Sequence, residues 1–387
     1  MKKSIITLIL LFTLTGCYNY RELNDLAIVS GISIAKVKDG YELTVEVVNT
    51  KKETDASNAR ETDFVIYKNT SDSLQEGFRR LINEAPKKMY GAQIDLLILD
   101  ESLAKEELKN IMDFLARDPE VRSEFYVIVG KTPDILEITT PLENINSKNI
   151  IQSLESNNTY LGSVNLMTFH DVIDNYLNDK IDLALPSIKL VGNKNKGKEN
   201  DNLENTTVET FNLLNNIAIF KDDKLVGYLT EEESKVFNLV SNNIRTTLVK
   251  IDFSNNEYVI NEMVGISCKT EVNPKKNSIN FSIEGLAAIS EANYSGNLED
   301  SKTIKKIEKE LNKYTEETVT KLIKQTIKKY NSDIYGFEDM FYKKDAKYYK
   351  ENIKENWDEL FKNLNIKVKS NIEIFEKGNL NGGLYHE

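Results

Sequence analysis

Few residues in this chain are equipped for chemistry. There are two cysteines, Cys17 and Cys268, and two histidines, His170 and His386. That stock cannot furnish the ligands of a zinc site, and no Ser–His or Cys–His pairing can be assembled from it. His386 is one residue from the end, and His170 follows Met167-Thr168-Phe169 at an expected helix start. Asp100-Glu101 stands where a strand leaves its sheet; adjacent carboxylates there read as helix-start charges before they read as an acid–base pair. Gly192-Asn193-Lys194-Asn195-Lys196-Gly197-Lys198 spells GxxxxGK. A phosphate loop also needs a hydroxyl for magnesium and an amphipathic helix to follow. Glu199 and Asn200-Asp201-Asn202 provide neither, so no nucleotide is expected. Cys268 alternates with Val264, Ile266 and Val272 in an expected strand and reads as a small buried hydrophobe.

Cys17 is different. Lys2-Lys3 precede an apolar run from Ile5 to Leu14, which closes in Leu14-Thr15-Gly16-Cys17. The run fits a secretory h-region and falls short of the roughly 20 residues that span a bilayer. An aliphatic residue, two small residues and a cysteine in that order resemble the lipobox of bacterial lipoproteins. The small residues let an extended chain enter the peptidase, and the thiol carries a thioether to diacylglycerol before cleavage. The expectation is a signal peptide at residues 1–16, with diacylglycerol and an N-acyl lipid on Cys17. Two or more acyl chains, at ~0.8 kcal/mol per buried CH₂, give stable anchoring. No other cofactor is expected.

Loss of Lys2 and Lys3 would take the formal charge from −11 to −13. An acidic body is repelled by anionic lipid, so acyl chains rather than a basic patch must hold it. The same balance argues against nucleic acid as a partner. Cys17 and Cys268 are the only cysteines, so a lipidated Cys17 leaves no intrachain disulfide.

Several elements must surround these residues. Residues 17–25 read as a polar tether, at ~3.3 Å per residue spanning at most about 30 Å. Leu26 to Ile34 reads as a strand, turned by Lys38-Asp39-Gly40 into a second at Tyr41 to Val48. A helix is expected from Ser71 to Ala85 with Leu74, Phe78, Leu81 and Ile82 on one face. Ile94 to Leu99 has the length of a buried strand. Leu103, Leu108, Ile111, Met112 and Leu115 fit one helix stopped at Asp118-Pro119. Phe125 to Val129 returns as a strand, and Thr132-Pro133 caps a further helical turn. Residues 191–210 are almost wholly polar and read as a loop or linker.

Beyond it, Ile217-Phe220 and Leu225-Tyr228 form a hairpin, and Thr230 to Glu233 is a capping box. Strands flank Asn273 to Asn277, with Ile279, Phe281 and Ile283 inward. Ile304, Ile307, Leu311, Tyr314, Thr318, Leu322 and Ile323 give a long helix from Ser301 to about Tyr330. A short helix about Trp357 and a strand through Ile366, Val368, Ile372 and Ile374 close the chain. The expected fold is α+β and multidomain, with mixed or antiparallel sheets and packed helices. An N-terminal region spans 26–190, possibly as two subdomains. A C-terminal domain with one long helix across a sheet spans 211–380, before a tail at 381–387.

Tyr18-Asn19-Tyr20-Arg21-Glu22-Leu23-Asn24-Asp25-Leu26-Ala27-Ile28-Val29-Ser30-Gly31-Ile32 resembles the Ger(x)C family, the C subunits of spore nutrient germinant receptors. Leu115 to Arg122, the hairpin Ala218 to Thr230, Asp333-Ile334-Tyr335-Gly336-Phe337 and Trp357 resemble further family landmarks in order. Tyr18 stands where the family usually has tryptophan, and Glu338 where glycine is common. The resemblance implies a three-domain lipoprotein on the outer face of the spore inner membrane. It also implies no enzymatic activity, and work beside an integral-membrane A subunit and a transporter-like B subunit that carries the nutrient site. Arg21, Glu22, Leu23, Asn24 and Asp25, between lipid and first strand, are candidates for orienting the body on these partners; capping that strand is an equal reading. The alternative function is a solute-binding lipoprotein of a transporter, although such proteins show two similar parallel α/β lobes. A surface hydrolase is disfavoured by the missing catalytic constellation.

Overall fold

A computed structural model describes residues 25–49, 62–106, 108–119, 121–139, 145–199, 202 and 206–376. Cys17, Arg21, Glu22, Leu23 and Asn24, the signal-peptide segment and the tail expected at 381–387 lie outside the described residues.

Two sheets organise the fold. The first has nine strands, eight of them in the order β3-β2-β1-β5-β6-β7-β8-β9. These are β1 (Leu26–Val37), β2 (Gly40–Val48), β3 (Phe64–Ser71), β4 (Lys88–Tyr90), β5 (Leu96–Asp100), β6 (Tyr126–Gly130), β7 (Ala184–Val191), β8 (Phe211–Lys221) and β9 (Lys224–Tyr228). β1, β5, β6 and β7 run parallel at the centre, antiparallel hairpins flank them, and β4 pairs in parallel with the start of β1. Helices cover both faces of the centre, which is why Leu96 to Leu99 of β5 read as an unbroken apolar run: all four are buried, as is Asp100 at the strand's end. On one face, Leu97, Leu99, Val127 and Val129 meet α1 (Leu74–Arg80), α2 (Glu101–Ala104), α3 (Leu108–Arg117) and the later helix that holds Phe169 and Val172. On the other, Leu96, Ile98 and Ile128 meet α4 (Asn146–Tyr160). The helix α5 (Phe169–Leu177) opens on a capping box, Thr168 with Asp171, and α6 (Lys194–Gly197) is a single turn.

Glu46 ties α4 to the sheet. Its carboxylate is fully buried and accepts from Ser30 Oγ at 2.7 Å, the Asn146 amide at 3.0 Å and the Ser147 amide at 3.2 Å. A carboxylate at the first turn of a helix satisfies amides that have no partner inside the helix. Burial raises the carboxyl, and the Ser147, Ser30 and Asn146 hydrogen bonds pull it back only in part.

The second sheet runs β10-β11-β12-β13, built from β10 (Thr246–Asp252), β11 (Tyr258–Asn273), β12 (Ser278–Asn293) and β13 (Asn365–Glu376). The capping box at Thr230 and Glu233 opens α7 (Glu231–Val240) as expected, and α8 spans Ser301–Tyr330. The long helix also covers a sheet edge. Glu308, Asn312 and Glu316, one turn apart, accept the amides of Ile374, Ile372 and Ser370 at 2.9, 2.8 and 2.9 Å. An open strand edge is thereby closed by side chains. α9 (Phe337–Lys344), α10 (Ala346–Asn352) and α11 (Trp357–Lys362) complete this half. Aromatic rings of these helices and of the segment before α9 make one cluster, Tyr335 stacked on Phe337 at 5.0 Å and Phe341 edge-on to Trp357 at 5.5 Å.

Several expectations need correction. The helix expected from Ser71 to Ala85 is shorter: Ser71 ends β3, Ser73 caps α1, and a 3-10 turn over Leu81–Asn83 leaves Ile82 49% exposed. The single helix expected through Leu103 and Leu115 is two, α2 and α3, although all five apolar positions are buried. Of the two readings of residues 191–210, loop or linker, the strand pairing favours the loop. β8 returns beside β7, so the polar stretch joins two strands of one sheet, and Thr210 Oγ1 donates to the Asn193 carbonyl at 2.9 Å. Val264 does not share a face with Cys268. A bulge between Val264 and Ser267, with Gly265 at φ +59°, moves burial from Val259 and Met263 to Cys268. In α8 the stripe passes through Thr315 and Val319, leaving Tyr314 outside.

Candidate functional site

Asp25 is the one residue of the expected orienting segment that the structure describes. It is exposed and directly precedes β1. From there Leu26 pairs with Lys88, Ala27 with Met89 and Ile28 with Tyr90. The start of β1 thus runs past the end of the central sheet, whose next parallel pairing begins at Gly31 and Leu96.

A groove of about 540 Å³ lies beside this entry point. Val29, Ile32, Met89 and Ile94 line it from the sheet side, while α1 and α3 contribute Phe78 and Phe114. Those rings stack at 6.0 Å between centroids. Apolar residues one helical turn apart on α3, Ile111, Met112 and Leu115, go into the core. Phe114, next to that stripe, is left half-buried at the groove. Charged residues at the groove are Arg79, Lys88, Arg117 and Asp118. Arg117 also holds Asp113 on the outer face of α3, at 2.7 and 2.9 Å. The segment Leu115-Ala116-Arg117-Asp118-Pro119 borders the groove. Its spacing is visible in sequence, whereas its placement opposite α1 across an opening comes only from the packing.

The remaining candidates go elsewhere. Asp100 Oδ1 accepts from the Ser102 amide at 2.9 Å and caps α2, and Glu101 pairs with Lys105 at 2.6 Å. These are the helix-start charges expected. Lys198 lies 2.8 Å from Asp134 and 2.6 Å from Glu137, with Lys194 at 3.5 Å from Asp134. The lysine of the GxxxxGK match is thus committed to carboxylates. Burial raises the Asp134 carboxyl, but the Lys198 and Thr132 hydrogen bonds and the Lys198 and Lys194 charges outweigh it and hold it at about 2. His170 is exposed on α5, 3.5 Å from Asp174. Cys268 is buried, and burial, opposed by a Thr270 hydrogen bond, pushes its thiol up to about 11. Among the described residues no three His, Cys, Asp or Glu side chains are grouped to hold a metal, and no helix is long and apolar enough to cross a membrane.

A second polar centre joins the two halves. Asp333, between α8 and α9, accepts the Phe337 and Glu338 amides at 3.0 and 2.7 Å. Asp182, before β7, takes the Lys221 ammonium at 3.2 Å and the Asp222 amide at 2.9 Å. Ser332 Oγ donates to the Phe220 carbonyl at 2.6 Å, and Tyr330 Oη to the Tyr228 carbonyl at 2.5 Å. The β8–β9 hairpin and the Asp333–Phe337 segment, distant in sequence, meet here.

Comparison with known proteins gives a consistent picture. Residues 19–190 match the family described as "Spore germination protein N-terminal domain", and residues 215–378 match "Spore germination B3/ GerAC like, C-terminal". The chain is 27% identical to spore germination protein KC of Bacillus subtilis (strain 168), over 99% of this chain and 97% of that protein. It is 25% identical to spore germination protein GerQC of Bacillus cereus, over 98% and 99%. The crystal structure of the GerBC protein superposes with a TM-score of 0.52 at 15% identity, covering 89% of this chain and 97% of that one. At that identity the likeness speaks for the shared fold alone.

Proposed function

The chain belongs to the GerAC-like family of spore germination proteins, as a C-type subunit of a germinant receptor, and from this premise we propose that it is a lipid-anchored, non-enzymatic subunit. In this reading it sits on the outer face of the spore inner membrane and docks on the A and B subunits. The family is one of receptor subunits and not a known enzyme family. The observation that carries the anchoring is Leu14-Thr15-Gly16-Cys17 at the end of a charged, apolar leader. Diacylglycerol and an N-acyl chain on Cys17 supply the membrane affinity.

The mechanism is confinement. A tether reaching about 30 Å at most keeps the body beside its partners and raises their effective concentration without any new contact. Binding at the surface then needs only modest intrinsic affinity. Arg21 to Asp25 remain the proposed orienting segment, since they separate the lipid from β1.

The test is Cys17→Ala. Membrane fractionation should move the protein to the soluble fraction, and the germination response should fall with it. Unchanged membrane retention together with an unchanged response overturns the reading.

A further inference from the structure

The groove between α1, α3 and β4 has no role in the reading above. We propose that it seats an amphipathic helix of an integral-membrane subunit of the same receptor, apolar face toward Phe78 and Phe114 and acidic flank toward Arg79, Lys88 and Arg117. The inference rests on the receptor-subunit reading and deepens it by naming the surface and the chemistry of the partner.

Three observations carry it. The first is shape. A hollow of about 540 Å³ is backed by the buried Val29, Ile32 and Met89, and the half-buried rings of Phe78 and Phe114 offer the apolar contact within it. A flat lipid surface would meet the rim and leave the back wall uncovered. A helix placing side chains at i, i+3 or i+4, and i+7 fills such a trough. Ile82 borders the groove and is 49% exposed, which extends the apolar surface outward.

The second is charge. The chain carries a formal −11, yet of the four charged side chains bordering the groove three are cations and one, Asp118, is a carboxylate; Arg117 also pairs with Asp113 outside it, so the local excess is smaller than that count. A local excess of cations on an acidic protein favours a partner with carboxylates at matching positions over a basic one. The third is position. Lys88 both borders the groove and pairs with Leu26, the first residue of β1. The groove therefore adjoins the point where the tether enters the body, at the end nearest the proposed lipid. A segment emerging from the bilayer meets this end first.

The test uses the full chain in the assembled receptor, with a photoreactive phenylalanine analogue replacing Ile82. Leu248, 47% exposed on the second sheet, carries the same probe as control. Ile82 should give an adduct with an integral-membrane subunit. The adduct should map to a segment with apolar residues at helical spacing beside Asp or Glu, and Leu248 should not reproduce it. Arg79→Glu with Arg117→Glu, both exposed positions, should lower the yield about tenfold, as loss of ~1.4 kcal/mol of binding does, while Arg79→Lys with Arg117→Lys should retain it. An adduct only with lipid, only with a second copy of this chain, or insensitive to charge reversal overturns the proposal. So does silence at Ile82 when the chain still copurifies with the membrane subunits. Failure to copurify at all would instead remove the receptor-subunit reading beneath it.

Discussion

The backbone amide of Asp333 donates to the Asp182 carboxylate at 2.7 Å, and the Asp182 amide donates back to the Asp333 carbonyl at 3.1 Å. This reciprocal pair joins the end of the long helix α8 to the strand that enters the first sheet. The Asp333 side chain is buried and turned toward the amides that open α9. The two halves of the chain are therefore held by polar contacts of fixed geometry as well as by apolar packing.

A pH dependence follows from that burial. Burial pushes the Asp333 carboxyl up to about 7, the Asp182 and Glu338 charges add to the shift, and the Phe337 and Glu338 amides only partly oppose it. A carboxyl with a raised folded-state value contributes stability below its ordinary range near 4. That contribution is lost as pH rises through about 7. Asp333→Asn removes the titration. The melting temperature of the wild type, taken relative to this variant, should fall between pH 5 and pH 8. Parallel curves across that window would count against it.

Glu46 offers a second measurement. Replacing it by alanine strips the Asn146 and Ser147 amides and the Ser30 hydroxyl of their acceptor inside the core. Each buried donor left unpaired costs about 1–3 kcal/mol. Urea unfolding of Glu46→Ala should show a loss of at least about 2 kcal/mol, and Glu46→Gln, which keeps an acceptor oxygen, a smaller one. A change in Glu46→Ala within about 0.5 kcal/mol, the range of ordinary surface substitutions, would sink this account.

Glu46 also marks where reading the sequence stops. Period and turn chemistry are local, so the β1–β2 hairpin, the capping box at Thr230 and the helix from Ser301 to Tyr330 were legible. A glutamate within an alternating strand looks solvated; its partners at Asn146 and Ser147 lie 100 and 101 residues away. The 191–210 stretch left loop and linker open because polarity is visible and strand pairing is not. Its neighbours β7 and β8 are joined by hydrogen bonds that leave no trace in composition. The groove was hidden for the same reason. Phe78 and Phe114 each fit an amphipathic helix, and only the packing of α1 against α3 shows that they face one opening. Cys17, the residue on which the proposed anchoring rests, lies outside the described residues and is argued from its contiguous motif alone.

Gly265 tests the bulge that sequence alternation overlooked. Its φ of +59° is one that side chains rarely adopt, while a Cβ there would meet nothing within 4 Å. Backbone conformation alone therefore sets the cost. Gly265→Ala should destabilise by about 1–2 kcal/mol. Gly265→Asn should cost less, since asparagine enters the left-handed region more readily, and Gly265→Val should cost the most. Equal melting temperatures for the Asn and Val variants would show that the bulge relaxes.

The thiols give a direct chemical reading of the N-terminus. Cys268 is 6% exposed with its thiol pushed up to about 11, so at pH 8 little thiolate is present and a disulfide reagent has poor access. Cys17, if it carries diacylglycerol, is a thioether and does not react. The folded, membrane-extracted protein should therefore show no rapidly titrating thiol, and one should appear on denaturation. Cys268→Ser should abolish that late signal, and Cys17→Ala should leave it intact. A fast thiol in the folded protein that persists in Cys268→Ser and vanishes in Cys17→Ala would place a free sulfhydryl at residue 17. The acyl chains would then have to be sought elsewhere, because the remaining cysteine is enclosed between the second sheet and its helices.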